Sequence, residues 1–408
     1  MPDIALSPEQ EQAVESCCDL TTRIFAVTGR AGTGKTTILQ QVYNELKKKV
    51  SRHLIVLCAP TGRAAKRIQE ATNIGAVTVH KLLEFPRPGD GTIEIVGVED
   101  GHAPRRNKNR PLDQQVVLVD ESSMIGPVLY KQIMDALSPN AVIRFFGDNA
   151  QLPPVEEGVA PFRALCKSEY YIELTYNYRS DDEIIGNSLK ILRGRIPERN
   201  NRFEIIYTEN LIPALLDYIN EDFTKANHQI IMTMRKGSYG TVRTNPSLQI
   251  KFNPKGEFLK LDRFDEKEPK LVVKTKDKFL WTKNDYNFNL FNGEIGEIDD
   301  VDTESGDIIL GITDRGHVHV PPRAKGFGNY GQFYYDPRKQ LDLGYAVTTH
   351  KAQGSEFDTV VYLMTSKGQG GMWMCSRNNL YTGVTRAKKH VTIICDRKAM
   401  QVSLRKTV

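Results

Sequence analysis

One octapeptide limits the fold of this chain more than any other feature: Gly29-Arg30-Ala31-Gly32-Thr33-Gly34-Lys35-Thr36, set between an apolar run, Ile24 to Val27, and a helix-forming run, Thr37 to Lys49. Glycines let the backbone turn sharply and bring several N–H groups onto one phosphate, and a helix starting directly afterwards adds the positive end of its dipole. The loop works only with a strand before it and a helix after it, which commits this part of the chain to an α/β fold. Gly29, Ala31, Gly32, Thr33 and Gly34 form the cradle, Lys35 brings a point charge to the β and γ phosphates, Thr36 offers its hydroxyl to the accompanying magnesium, and Thr37 continues the helix. That helix carries Ile38, Leu39, Val42 and Leu46 on one face and Lys47, Lys48 and Lys49 at its end, where cations suit the dipole. The implied ligand is a nucleoside triphosphate.

A chain of 408 residues exceeds one ordinary core, so two or three domains are expected. Hydrophobic residues at 40% and charged residues at 26% are ordinary for a soluble globular protein. No apolar run approaches the ~20 residues of a membrane span, and the N-terminus shows no basic-then-apolar signal. The expectation is a cytoplasmic protein, in the host cytoplasm were the source a phage, with no membrane partner. A net charge of +5 is only a mild pull toward polyanions. The six cysteines include no C-x-x-C pair, which speaks against a zinc site or a disulfide framework, and Cys58 and Cys395 read as small core residues.

Ser7-Pro8 opens a helix ahead of the phosphate loop, and the side-chain amide of Gln10 is placed to read an adenine edge. Leu54 to Ala59 reads as a buried strand ending in Pro60-Thr61-Gly62-Arg63, followed by a basic helix. Such a junction sets a hydroxyl, backbone N–H groups and a guanidinium at the carboxyl edge of a parallel sheet, where α/β proteins bind ligands; Lys66 and Arg67 are equally consistent with a solvated helix face. Thr78-Val79-His80 follows, and taken alone His80 reads as a structural histidine. Residues 84–113 look inserted, a projecting hairpin whose basic tail, Arg105 to Arg110, is either a solvated loop or a phosphate contact. Val116 to Val119 delivers Asp120-Glu121 at a strand end. Downstream of a phosphate loop, that is where one carboxylate (Asp120) serves the magnesium shell and the next (Glu121) orients and deprotonates water. After the strand Ala141 to Phe146, Gln151 stands on a loop stiffened by Pro153 and Pro154, placed to pass on a contact with the γ-phosphate.

These blocks, in this order, resemble superfamily 1 helicases, and most of all the B branch with its RecD-like and Dda-like enzymes. The resemblance rests on Ala59-Pro60-Thr61-Gly62-Arg63-Ala64-Ala65-Lys66-Arg67, Gly147 to Val155, Met232 to Gly240, Ala346 to Phe357 and Tyr381 to Lys388. It implies two RecA-like motor domains, 1–178 and 179–254 plus 336–408. It also implies a small Src-homology-3-like β-barrel at 255–335, whose short strands and frequent glycines read as β structure independently. His317 and His319 are read as the polar face of one of its strands.

The same resemblance implies ATP with magnesium bound between the motors, and single-stranded DNA gripped by Pro60, Thr61, Arg63, Thr78, His80, Thr349, His350 and Lys351. It assigns Glu356 to the ribose, Tyr178 to the base, and Arg179 and Arg386 to the γ-phosphate. The implied activity is ATP-driven 5′ to 3′ movement and duplex unwinding by a monomer acting at single-strand/duplex junctions, with replication or recombination proteins as partners. An ATP-gated protein that strips bound proteins from a single strand without unwinding is the alternative. In one respect the chain departs from the pattern: its projecting segment offers Ile93, Ile95 and Val96 where some Dda-like enzymes carry an aromatic wedge.

Overall fold

A computed structural model describes residues 6–85, 103–154, 156–178, 182–263, 268–285, 287–312, 316–328 and 331–408. The centre of the expected hairpin, with Ile93, Ile95 and Val96, lies outside the described residues, as does Arg179. The chain divides into two compact units, residues 1–185 and 186–408.

The first unit is built on six parallel strands: β1 (Ile24–Gly29), β2 (Ile55–Ala59), β3 (Ala76–Thr78), β4 (Val116–Val119), β5 (Val142–Gly147) and β6 (Tyr171–Leu174), ordered β3-β2-β4-β5-β1-β6. A parallel sheet is covered on both faces, so its strands are apolar on both sides, and side chains alternate between two cores. Val27, Leu57, Leu118 and Phe146 enter one core with Ile38, Leu39, Val42 and Leu46 of the helix after the loop. Ala26, Cys58, Val117, Val119, Ile143 and Phe145 enter the other with Ile133 and Ala136. Helices α1 (Pro8–Cys17), α2 (Lys35–Lys49), α3 (Gly62–Thr72) and the single turn α4 (Val79–Leu82) complete the part that matters for the site. The pairing Thr28↔Gly147 and Cys58↔Val119 levels the carboxyl ends of the strands, so the loops after them share one edge.

The second unit has a five-stranded parallel sheet from β7 (Phe203–Tyr207), β8 (His228–Met232), β18 (Ala346–Thr348), β19 (Phe357–Met364) and β20 (Ala387–Cys395), ordered β18-β8-β19-β20-β7. Between β8 and β18 the chain forms hairpin β9 (Phe258–Leu261)–β10 (Leu271–Lys274) and hairpin β15 (Ala324–Gly328)–β16 (Gly331–Tyr335). The same stretch makes an antiparallel sheet of β11 (Lys278–Trp281), β12 (Ile295–Val301), β13 (Ile308–Ile312), β14 (Gly316–Val320) and β17 (Leu341–Leu343). Strand β17 lies beyond residue 335, because Leu343, Asp342 and Leu341 pair with Phe279, Leu280 and Trp281. The inserted strands share one core with the motor sheet, Trp281 and Leu310 packing in the same cluster as Ile230, Val361 and Leu363. The six cysteines are free and buried. Among the described residues no helix is long and apolar enough to cross a membrane.

Candidate functional site

Strand β1 runs into the phosphate loop and α2 leaves it, with Gly32 and Gly34 at φ of 86° and 84°. A side chain at Gly34 would be strained and would bring its Cβ to 2.6 Å from Gln10 Nε2; one at Gly29 would collide with Thr33 Oγ1. Lys35 Nζ donates to the carbonyls of Gly29 (2.7 Å) and Arg30 (2.9 Å), so the ammonium lies over the loop. Burial holds its pKa below the ordinary lysine value, against the opposing pull of Asp148, Glu121 and Asp120, which puts all three carboxylates in its field.

Asp120 and Glu121 leave the end of β4. Burial, and next the charge of Glu121, push the Asp120 carboxyl up to about 6. Glu121 is held in the left-handed region (φ 49°, ψ 37°), and its carboxylate faces Arg67 of α3 at 3.7 Å. After β5, Gln151 is buried with its side-chain oxygen unpartnered, while its backbone carbonyl accepts from Arg163 (3.0 Å). Among the described residues no group of three or more His, Cys, Asp or Glu could hold a metal ion alone. The residues fit a magnesium triphosphate instead: two hard-oxygen groups, Thr36 and Asp120, beside a cradle of backbone amides with no room for a Cβ.

Gln10 is engaged by the protein itself. Its Nε2 donates to the Thr33 carbonyl (3.2 Å), and its Oε1 accepts from Tyr178 Oη (2.5 Å) and the Ser7 amide (3.1 Å). The residue at the third helical position closes a capping box and ties the loop to Tyr178. Tyr178 is half exposed, its backbone N–H donating to Gly32 O (3.1 Å) and its ring meeting Tyr176 edge-on at 4.9 Å.

The expected DNA residues divide by burial. Pro60 and Thr78 are buried, and the Thr78 hydroxyl caps α4 by accepting from Lys81 N (3.0 Å). Thr349 is fully buried, its hydroxyl donating to Met232 O (3.4 Å). Capping and packing engage these three side chains within their own units. Thr61 caps α3 through Ala64 N (3.2 Å), and Arg63 is partly buried, its pKa lowered by burial and then by Arg67. Burial lowers the pKa of His80, which packs on Phe85 at 4.7 Å and leaves Nδ1 without a partner; burial also lowers His350. Lys351 Nζ donates to Thr282 O (3.1 Å) and Asn292 Oδ1 (2.5 Å) of the inserted strands' loops. Burial, then Arg235, lower it to about 8.

Sequence reasoning passes over a repeat that the two units make plain. Ala76-Val77-Thr78-Val79-His80-Lys81 and Ala346-Val347-Thr348-Thr349-His350-Lys351 share every residue but one. Each is an edge strand of its parallel sheet running into one helical turn, with the first threonine capping the lysine amide. Arg30 is also missed: its guanidinium bonds Asp148 (3.2 Å) and Asn149, clamping the phosphate loop to the turn that leads to Gln151.

At the opposite, amino edge of the second sheet, Glu356 precedes β19 and Arg386 precedes β20. Glu356 pairs with Lys388 at 3.4 Å. Arg386 is not presented outward as a finger: it is buried and donates to Thr382 O (3.0 Å), Ser355 O (3.3 Å) and Thr385 Oγ1 (3.2 Å), acceptors no spacing rule reveals.

A phosphate cradle on a six-stranded parallel sheet, followed in the same chain by a second parallel sheet, defines a P-loop nucleotide-binding protein of the RecA-like class. A family profile described as an AAA domain matches residues 5–209, and one described as a UvrD-like helicase C-terminal domain matches residues 343–394. The ATP-dependent RecD2 DNA helicase of Deinococcus radiodurans is 32% identical over 389 residues, covering 94% of this chain and 48% of that protein. The RecBCD enzyme subunit RecD of Haemophilus influenzae is 26% identical over 466 residues, covering 94% of this chain and 68% of the subunit. Among solved structures, Pif1 helicase from Candida albicans superposes with a TM-score of 0.60 at 19% identity, covering 98% of this chain and 96% of that one. Bacteroides Pif1 in complex with ADP-AlF3 and ssDNA gives 0.59 at 19% identity, covering 98% and 95%. These likenesses carry the fold. The chain spans less than half the length of the Deinococcus relative (48%). It belongs to the AAA-domain family, in the RecD-like B branch of the superfamily 1 helicases.

Proposed function

We propose that this chain is a DNA-stimulated ATPase that moves along single-stranded DNA in the 5′ to 3′ direction and separates duplexes at single-strand/duplex junctions. The observation that carries the reading is the repeated strand–Thr–x–His–Lys turn, one copy in the unit that holds the phosphate loop and one in the other. Two equivalent partly buried turns suit a polymer with a repeating backbone, and contacts of this kind favour phosphate over sequence. The helicases to which the chain is similar point the same way.

In this reading Lys35 and the loop amides hold the phosphates of ATP, and Glu121 takes the proton of the attacking water. Gln151 senses the γ-phosphate, Tyr178 packs on the base and Glu356 on the ribose. Arg179 and Arg386 are assigned to the γ-phosphate, Arg386 after leaving its internal carbonyls. Magnesium, held by Thr36 and Asp120, would neutralise phosphate charge as a Lewis acid. Thr61, Arg63, His80, His350 and Lys351 line the DNA path. We read the strands between 258 and 343 as the small barrel of the branch, and the protein as a monomer working beside replication or recombination proteins.

The test is ATP hydrolysis with and without single-stranded DNA for the wild type, Lys35→Ala and Glu121→Gln, beside unwinding of duplexes with one 5′ or one 3′ tail. Both variants lose stimulated hydrolysis while keeping DNA binding, and the 5′ tail is preferred. Hydrolysis that survives either change refutes the site, and preference for the 3′ tail refutes the polarity.

A further inference from the structure

Trp373 is 76% exposed, and Met372 beside it 42%. They stand on the segment Thr365 to Cys375, which joins the end of β19 to the helix Arg377–Val384. The segment is fixed at its root: Thr365 Oγ1, Ser366 N and Ser366 Oγ donate to the Asp396 carboxylate at 2.8–2.9 Å, at the carboxyl end of β20. It lies along the loop after β8, since a Cβ at Gly370 would be 3.9 Å from Met234 Sδ and one at Gly368 3.5 Å from the Tyr239 ring. The next strand, β18, ends in the turn of His350 and Lys351, which itself packs against the helix Arg377–Val384. Trp373 therefore stands on the carboxyl edge that carries the second copy of the repeated turn.

One face of the indole is taken by a cation. Lys406 Nζ sits 5.1 Å from the ring centroid and donates to Trp373 O at 2.7 Å, which fixes the ring without covering its other face. A docking patch for a folded protein needs an apolar area wider than one ring and a methionine. Here only Met372 and the partly exposed Met374 adjoin the ring in sequence, Cys375 is buried, and the preceding Lys367, Gly368, Gln369, Gly370 and Gly371 are polar or lack a side chain. An aromatic plane with a free face, a cation behind it and a polar surround suits one unstacked base of a single strand, with its phosphate near the ammonium.

We propose that Trp373 is a stacking platform for a base of single-stranded nucleic acid, with Lys406 as its positioning partner. The inference rests on the single-strand-binding reading above and adds to it a contact with the base instead of the backbone.

The chain has two tryptophans, and Trp281 is fully buried, so ligand-dependent quenching of emission reports on Trp373. The experiment titrates the full chain with oligo-dT and with an abasic oligomer of equal length, following emission and, separately, the anisotropy of a labelled oligomer. Oligo-dT quenches the wild type and the abasic strand does not. Trp373→Ala weakens oligo-dT binding about tenfold, the share of one stacked base, while Trp373→Phe retains most of it. Neither substitution changes affinity for the abasic strand. Equal oligo-dT affinity of wild type and Trp373→Ala overturns the inference, as does an unquenched wild type that binds. A change in sedimentation of Trp373→Ala without a change in oligo-dT affinity assigns the ring to a protein contact and overturns it as well. Should the wild type bind neither oligomer, the single-strand reading itself falls, a result distinct from the others.

Discussion

The left-handed backbone at Glu121 makes a prediction that separates conformational strain from chemistry. At φ 49° and ψ 37° a residue with a Cβ carries ~1–2 kcal/mol of strain that glycine escapes. At ordinary positions the order is reversed, and glycine is worse than alanine by ~0.5–1 kcal/mol through the entropy of the unfolded chain. Glu121→Ala and Glu121→Gly both lose the carboxylate and its pairing with Arg67 at 3.7 Å, a long, partly exposed pair worth ~0–1 kcal/mol, so this term cancels between them. What remains is the backbone. The glycine variant is therefore expected to be more stable than the alanine variant by ~1 kcal/mol, or about 2–4 °C in Tm for a unit of this size. Thermal unfolding of the two variants side by side measures it, and on the proposed role of Glu121 as general base hydrolysis measured on the same samples falls by roughly 10²–10⁴ in both. An alanine variant as stable as the glycine variant would show that no strain is held there, and the functional reading of this geometry would go with it.

Gln10→Ala leaves the Thr33 carbonyl and the Tyr178 hydroxyl without partners and opens the capping box, so stability falls by about 1–3 kcal/mol and KM for ATP rises several-fold with kcat little changed. An unaltered KM would detach Gln10 from the nucleotide. Lys351 titrates at about 8 in the folded chain, below its ordinary 10.5. The unfolded state therefore binds more protons between those values, and stability rises with pH across that window by an amount on the order of 3 kcal/mol. Lys351→Met should flatten that rise in denaturant titrations at pH 7 to 10.5, and a curve parallel to wild type contradicts the assignment. Arg67→Met removes the cation facing Glu121; hydrolysis without DNA is expected to rise by up to about fivefold, the equivalent of ~1 kcal/mol, so the ratio of stimulated to basal rate falls. A basal rate that stays level or drops shows that Arg67 does not restrain the carboxylate.

Strands and phosphate loop were legible because their signals are local. Ile24 to Val27, Val116 to Val119 and Ala141 to Phe146 are apolar on both faces, as a doubly covered parallel sheet requires, and the loop's glycines admit few conformations. Which threonine of Thr348-Thr349 turns inward was not legible, since one serves as cap and the other is wholly buried, and only the edge position of β18 decides. The commitments of Gln10 and Arg386 depend on acceptors brought near by packing, Thr33 O in one case and Ser355 O in the other. Strand β17 is three residues long and carries no periodic signal of its own; the pairing with β11 makes it a strand. The repeated Ala-Val-Thr-x-His-Lys is different, being visible as soon as residues 76–81 are set against 346–351.

The second copy of that repeat sits on a connection with little slack, which gives coupling a mechanical basis. Thr348 lies level with Met232, and Met232 with Leu363, whereas β19 begins at Phe357, six residues lower on the sheet. At ~3.3 Å per residue that is roughly 20 Å of descent, and stepping over β8 adds about 10 Å sideways, some 22 Å in all. The link has a four-residue helical turn, Thr349–Ala352, and then Gln353 to Glu356. One turn rises ~1.5 Å per residue and extended residues reach ~3.5 Å each, so four helical and five extended steps from Thr348 to Phe357 span at most about 23 Å. A displacement of Glu356 or Arg386 by a few ångströms at the amino edge has only this short link, with its turn closed by Ser355 N donating to Ala352 O (3.1 Å), between it and His350 and Lys351 on the other edge. Because Lys351 is bonded to Thr282 and Asn292, a shift of that turn reaches the inserted strands as well, so in the proposed reading nucleotide and nucleic-acid contacts share one segment.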